Sequence, residues 1–142
     1  MRLFLAIFPG QEVLNEIRDI LRKTTKIKRN FRWMPFEQMH ITLKFFGANV
    51  SEESLSLIQQ QLPNILSNIP KDIEIEIADI QFGFEGQSHP NIIFLSIYET
   101  NELNEAASHI HNAVKGLGLE DVIAKKERKK ILHHITLARS KR

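Results

Sequence analysis

The chain contains no cysteine among its 142 residues. This absence excludes a disulfide framework, a catalytic thiolate, an iron–sulfur cluster and a zinc site built on cysteine. No apolar run approaches the ~20 residues that a membrane-spanning helix needs. The apolar start over residues 1–10 is too short for a signal peptide, and no small-residue cleavage site follows it. We therefore expect a soluble, cytoplasmic protein that has no membrane partner.

Neither positive nor negative charge is in large excess, since the formal net charge is only +2. Its distribution is uneven: four of the 19 Lys and Arg residues lie within 26–32, and eight more lie between Lys125 and Arg142. Two basic clusters are consistent with a surface that binds a polyanion. Solvated loops and strand ends are the commoner origin of such runs, so the clusters alone favour the solvated interpretation.

The hydrophobic pattern changes repeatedly between the strand period and the helix period. We predict strands over residues 2–8, 39–46, 72–80, 92–98 and 131–138, and helices over 11–24, from Ser51 to about Leu66, and from Thr100 or Asn101 to about Lys115. Pro63 lies inside the second helical pattern and is expected to kink or split it. The basic segments 25–32 and 125–130 and the turn-rich segment 81–91 are expected to be loops. The resulting order is typical of an α+β fold with helices packed on antiparallel sheet.

The tetrapeptide His-Ile-Thr-Leu occurs twice, as His40–Leu43 and as His134–Leu137. Both copies lie on predicted strands, where alternate side chains share a face. Each copy therefore presents an imidazole and a hydroxyl on one face and buries Ile and Leu on the other. A strand repeated only for packing would repeat the apolar residues but has no reason to repeat the histidine. The doubling therefore favours a site that uses both copies.

Two histidines and two threonines suit the cleavage of a phosphodiester without a metal. A neutral imidazole can take a proton from water or from a ribose hydroxyl, and a protonated one can give a proton to the leaving oxygen. The hydroxyls of Thr42 and Thr136 can donate hydrogen bonds to the non-bridging phosphate oxygens, where negative charge builds up. We expect His40 and His134 to be catalytic and the two threonines to bind substrate, with no metal and no cofactor.

Other candidate residues carry weaker signals. His109 and His111 are two positions apart on a predicted helix and do not share a face, so they are not expected to bind a metal together. Phe31 and Trp33, which lie beside Arg29 and Arg32, could stack on a base. A packing role for Trp33 ahead of the motif strand is at least as consistent with the sequence.

The segments Arg32–Gly47 and His134–Arg139, together with the opening strand, closely resemble the 2H phosphoesterase superfamily. Within it they are most similar to the RNA 2′,3′-cyclic phosphodiesterases, also called 2′-5′ RNA ligases. The resemblance implies one bilobal, pseudo-twofold domain over 1–142, with antiparallel sheets that line a central cleft and helices outside. It also implies a 2′-phosphate product and assigns His134 as the base and His40 as the acid. Members of this family usually continue past the second motif, so we expect a shortened C-terminal end.

The expected function is hydrolysis of the 2′,3′-cyclic phosphate ends of RNA or oligonucleotides. Three alternatives stay open: a non-catalytic module that binds RNA ends, an esterase for small cyclic nucleotides or ADP-ribose cyclic phosphate, and a 2′-5′ RNA ligase.

Overall fold

The computed structural model describes residues 1–24, 30–83, 91–123 and 132–141. Within these ranges the chain forms six strands and three α-helices. Neighbouring strands of the second compact unit, whose residues are given below, pair antiparallel. These findings confirm the α+β prediction. The elements in chain order are β1 (Leu3–Ile7), α1 (Gln11–Thr24), β2 (Phe31–Trp33), β3 (Ile41–Gly47), α2 (Glu52–Leu66), β4 (Ile77–Phe82), β5 (Ile92–Ile97), α3 (Asn101–Lys115) and β6 (His134–Ser140). Among the described helices, none is long and apolar enough to cross a bilayer.

The chain divides into two compact units. The first unit comprises Met1–Ala6, Thr42–Glu74 and Glu99–Ile131, and the second unit comprises Ile7–Ile41, Ile75–Tyr98 and Leu132–Arg142. Each unit therefore combines segments that are distant in sequence.

The first unit is built on β1 and its neighbour β3, with α2 and α3 packed in the same unit. Its core side chains come from β3, from both helices and from the segments that follow β3 and α3: Phe46, Val50, Ile58, Ile65, Ile110, Val114 and Val122. The spacing of the helical members is that of one helix face, as the sequence predicted. Thr100 caps α3, since its hydroxyl accepts a hydrogen bond from the Leu103 amide at 3.1 Å.

A carboxylate from a distant loop holds the start of α2. Ser51 is the N-cap, and its hydroxyl accepts from the Ser54 amide at 3.1 Å. Asp121 accepts from the Ser54 hydroxyl at 2.6 Å and from the Ser51 amide at 2.8 Å. These hydrogen bonds, the one from the Ser54 hydroxyl first, lower the pKa of Asp121 to about 2 because they stabilise its charged form. Gly47 lies close to the same loop: its φ is +148°, and an added Cβ would lie 3.2 Å from the Asp121 carbonyl oxygen.

The helix α2 was expected to be kinked or split at Pro63; it is not split, and it runs as one helix to Leu66. The carbonyl that loses its partner to the proline is that of Gln59, an exposed residue whose oxygen water can reach. On β3 the side chain buried in the core is Phe46, whereas the Phe45 ring lies 4.6 Å from the Arg2 guanidinium. Strict alternation from Ile41 predicts the opposite choice, but both residues are apolar, so either of them could be buried.

The second unit is organised around β6. This strand pairs with β5 along most of its length and with β2 near its end, while β5 pairs with β4 on its other side. Ile135 and Leu137, which alternate along β6, are fully buried, and so is the adjacent Ala138. Ile17 of the amphipathic helix α1 is also fully buried.

The strand boundaries of this unit differ from the predictions. β2 was missed, β4 begins at Ile77 instead of residue 72, and β6 runs from His134 to Ser140 instead of 131–138. Most of the basic segment 25–32, residues 84–90 of the turn-rich segment and the whole of 125–130 lie outside the described residues.

Candidate active site

His40 lies immediately before β3, after a short 3-10 helix at Phe36–Gln38. The intervening residue, Met39, is extended and buried, so the chain turns from the helix directly into the strand. The Nδ1 atom of His40 is 2.6 Å from the carbonyl oxygen of Gln38. A carbonyl oxygen only accepts hydrogen bonds, so this contact requires Nδ1 to carry the hydrogen and donate it.

His134 is the first residue of β6 and makes the same local contact. Its Nδ1 atom is 3.0 Å from the carbonyl oxygen of Leu132. In both motifs the histidine therefore donates to the backbone two residues before it. In the neutral form of each ring, Nε2 is therefore the nitrogen that carries no hydrogen.

Each histidine also has an aromatic neighbour. The ring of Phe8 lies 6.2 Å from that of His40, and the ring of Phe94 lies edge-on at 5.2 Å from that of His134. Phe94 is buried on β5, whereas Phe8 is exposed. Sequence reasoning did not identify either neighbour.

The two motif strands meet at their isoleucines. Ile41 pairs with Ile135 in antiparallel register, and both side chains are fully buried. Continuing this register by one residue sets His40 across from Thr136, on the face opposite to the isoleucines. His40, His134 and Thr136 all belong to the second unit, and all three are half-buried. Thr42 follows Ile41 on β3 and is half-buried, but it is counted with the first unit.

The other candidates from the sequence are found in both units. Lys44 Nζ lies 3.1 Å from His111 Nδ1 in the first unit, so His111 has an ammonium neighbour rather than a second histidine. Phe31 and Trp33 are half-buried on β2, and Trp33 pairs with Ala138 of β6. Among residues 1–24, 30–83, 91–123 and 132–141, no three histidine or acidic side chains are grouped as metal ligands.

Comparisons with known proteins identify the family of the chain. A family model described as the AKAP7 2'5' RNA ligase-like domain matches residues 10–142. A similar protein from Archaeoglobus fulgidus, named RNA 2',3'-cyclic phosphodiesterase, is 27% identical over 142 residues, which are 100% of this chain and 74% of that protein. One of the same name from Thermotoga maritima is 28% identical over 144 residues, covering 99% of this chain and 71% of that protein.

Solved structures show the same fold. The crystal structure of TT0787 of Thermus thermophilus matches with a TM-score of 0.80 at 26% identity, covering 100% of this chain and 75% of that one. E. coli LigT complexed with 3'-AMP matches with a TM-score of 0.67 at 22% identity, covering 97% of this chain and 72% of that one.

Proposed function

The chain belongs to the AKAP7 2'5' RNA ligase-like domain family, within the 2H phosphoesterases, and on that premise we propose that it hydrolyses ribose 2′,3′-cyclic phosphates at the ends of RNA or oligonucleotides. The product is a 2′-phosphate beside a free 3′-hydroxyl. The reaction uses neither a metal nor another cofactor. The names of the two relatives described above support this substrate class.

In this mechanism the two histidines act on opposite sides of the phosphorus atom. Nε2 of His134 takes a proton from water as its oxygen forms the new bond to phosphorus. Nε2–H of His40 gives a proton to the 3′ oxygen as the bond between phosphorus and that oxygen breaks. The cycle leaves His134 protonated and His40 neutral, and exchange with solvent restores the starting state.

One observation carries the proposal. In both copies of the motif, the Nδ1 atom of the histidine donates to the backbone carbonyl two residues earlier. A histidine with only a packing role has no need for a fixed tautomer, whereas general acid–base catalysis requires a known nitrogen to face the substrate. The same local contact in two strands that are distant in sequence supports matched roles. Thr136, which follows Ile135 on β6, is suited to donate to a non-bridging oxygen, and the same role is proposed for Thr42, the residue after Ile41.

The test is product analysis with the purified protein in EDTA. A short RNA with a 2′,3′-cyclic phosphate end and 2′,3′-cyclic AMP are each expected to yield the 2′-phosphate, identified by chromatography and phosphorus NMR. Turnover of the mononucleotide alone would favour a small-molecule esterase, and binding without turnover would favour a non-catalytic RNA-end module. Loss of turnover in EDTA with recovery on adding a divalent ion would contradict the metal-free mechanism.

Ligation is a second candidate, because the family model is described by 2'5' RNA ligase likeness. It uses the same groups: the attacking oxygen comes from the 5′-hydroxyl of a second RNA instead of water, and His134 takes its proton. Adding an RNA with a free 5′-hydroxyl to the reaction and looking for a longer product distinguishes the two activities.

A further inference from the structure

Phe8 occupies an unusual position for a large apolar side chain. It directly follows β1 and is 65% exposed, more than any other large hydrophobic side chain in the part of the chain that the structure describes. At the same time its ring lies only 6.2 Å from the ring of His40, within the second unit. A single exposed hydrophobic side chain is ordinary on a protein surface. Phe8 differs in that it lies beside a histidine to which we assign proton transfer, where a bound substrate would cover it.

The phenylalanine beside the other motif histidine, His134, shows that a ring next to a histidine does not have to be exposed. Phe94 contacts His134 at 5.2 Å and is only 8% exposed. In this unit, therefore, the phenylalanine that packs against His134 is buried. Phe8 keeps most of its surface open, so its contact with His40 uses only a small part of it.

The chain around Phe8 holds its backbone in place. Pro9 restricts the residue before it to extended conformations. The Leu14 amide donates to the Gly10 carbonyl at 3.0 Å, so α1 begins within three residues of Phe8. A ring presented on a short, restrained connection loses little conformational freedom when a ligand binds.

The chemistry of the substrate supplies a partner for this ring. In a nucleoside 2′,3′-cyclic phosphate the base is attached to C1′, next to the carbon that carries one of the two cyclic phosphate oxygens. A protein group beside the histidine that acts on the phosphate is thus within reach of the base. Single-stranded nucleic acids are bound largely by stacking of bases on exposed aromatic rings.

We propose that Phe8 is the stacking platform for the base of the terminal nucleotide, adjacent to the reaction centre. This inference rests on the proposed function. Because stacking uses the face of the base and no edge-specific hydrogen bond, Phe8 accepts all four bases and favours purines through their larger ring surface.

The experiment measures kcat and KM of Phe8→Ala with three substrates: 2′,3′-cyclic AMP, 2′,3′-cyclic CMP and the methyl riboside 2′,3′-cyclic phosphate, which lacks a base. KM for cyclic AMP is expected to rise about tenfold, the scale of losing one base stack. The rise should be smaller for cyclic CMP and absent for the riboside, with kcat little changed throughout. Phe8→Trp is expected to restore the KM for cyclic AMP. Phe82→Ala removes another exposed ring, on β4, and is the matched control.

Two outcomes would overturn the inference while leaving the phosphodiesterase activity intact. An equal loss of kcat with all three substrates, riboside included, would mean that Phe8 only positions His40. Unchanged kinetics with cyclic AMP would mean that the ring binds no base.

A binding measurement separates this inference from the proposed function. The fluorescence of 2-aminopurine riboside 2′-phosphate is expected to be quenched by the wild-type protein and much less by Phe8→Ala, with no turnover required. Quenching without hydrolysis of any substrate would contradict the proposed function and keep the base platform. No difference in quenching between wild type and Phe8→Ala would overturn the platform.

Discussion

Removing the hydroxyl of Thr136 perturbs the proposed reaction while changing the fold very little. Thr136 is half-buried on β6, two residues after His134, and it directly follows Ile135, whose partner Ile41 directly follows His40. Thr136→Val replaces the hydroxyl with a methyl group and keeps the β-branched shape that suits a strand. Thr136→Ser keeps the hydroxyl and removes the methyl group instead.

The expected loss of kcat follows from the role proposed for the Thr136 hydroxyl, which is to donate a hydrogen bond to a phosphate oxygen. A donor aimed at the charge that develops on a phosphate oxygen contributes about 3 kcal/mol, so Thr136→Val should lower kcat by roughly 10²–10³. Because the side chain is only half-buried, the free energy of unfolding should change by no more than about 1 kcal/mol. Thr136→Ser should retain most of the activity.

Thr100→Val is the matched control, because Thr100 uses its hydroxyl to cap α3. This change should lower the free energy of unfolding by about 1 kcal/mol and leave kcat unchanged. The assay combines single-turnover hydrolysis of 2′,3′-cyclic AMP with thermal unfolding followed by circular dichroism. If Thr136→Val keeps the wild-type kcat, or if Thr136→Ser is as slow as Thr136→Val, the hydroxyl does not bind the phosphate and the reasoning fails.

Two further predictions concern stability. Ile135 is fully buried and pairs with the fully buried Leu95. In urea denaturation, Ile135→Ala should therefore lower the free energy of unfolding by about 2–5 kcal/mol, and Ile135→Val by about 1 kcal/mol. Equal unfolding midpoints for the two variants would contradict the packing described. The lowered pKa of Asp121 means that its ionised form stabilises the fold above pH about 4 and that this contribution is lost as the pH falls through about 2. Asp121→Asn and Ser54→Ala should therefore lose less stability on acidification over that interval than wild type, while Glu120→Gln, which removes a neighbouring charge, should follow wild type.

Much of the architecture was predictable because local signals agreed with the tertiary fold. The helix predicted over 11–24 matches α1. The second helix starts after Ser51 as predicted, and of the two starts left open for the third helix, Thr100 and Asn101, the N-cap is Thr100. β2 was missed because three residues, Phe31–Trp33, carry too little pattern, and this strand depends on pairing with β6. Long-range pairing of that kind has no local signature in a sequence.

The candidate site was only partly accessible to sequence reasoning. The repeated tetrapeptide identified His40 and His134 because side-chain identity is visible in a sequence. The contacts that fix their tautomers involve the backbone carbonyls of Gln38 and Leu132, and a carbonyl is common to every residue type. Phe8 reads as the end of an apolar strand, and only its exposure beside His40 distinguishes it from a core residue.

The central claim is that two histidines transfer protons in one reaction. The most direct measurement compares kcat of His40→Ala and His134→Ala with that of wild type. The substrate is an RNA that ends in a 2′,3′-cyclic phosphate, and the assay contains EDTA. Each variant is expected to lose roughly 10² or more in kcat, the scale of removing a general acid or base, with thermal unfolding close to that of wild type. His109→Ala on α3, which removes a histidine outside the site, should retain full activity. Near wild-type turnover by either His40→Ala or His134→Ala would contradict the account.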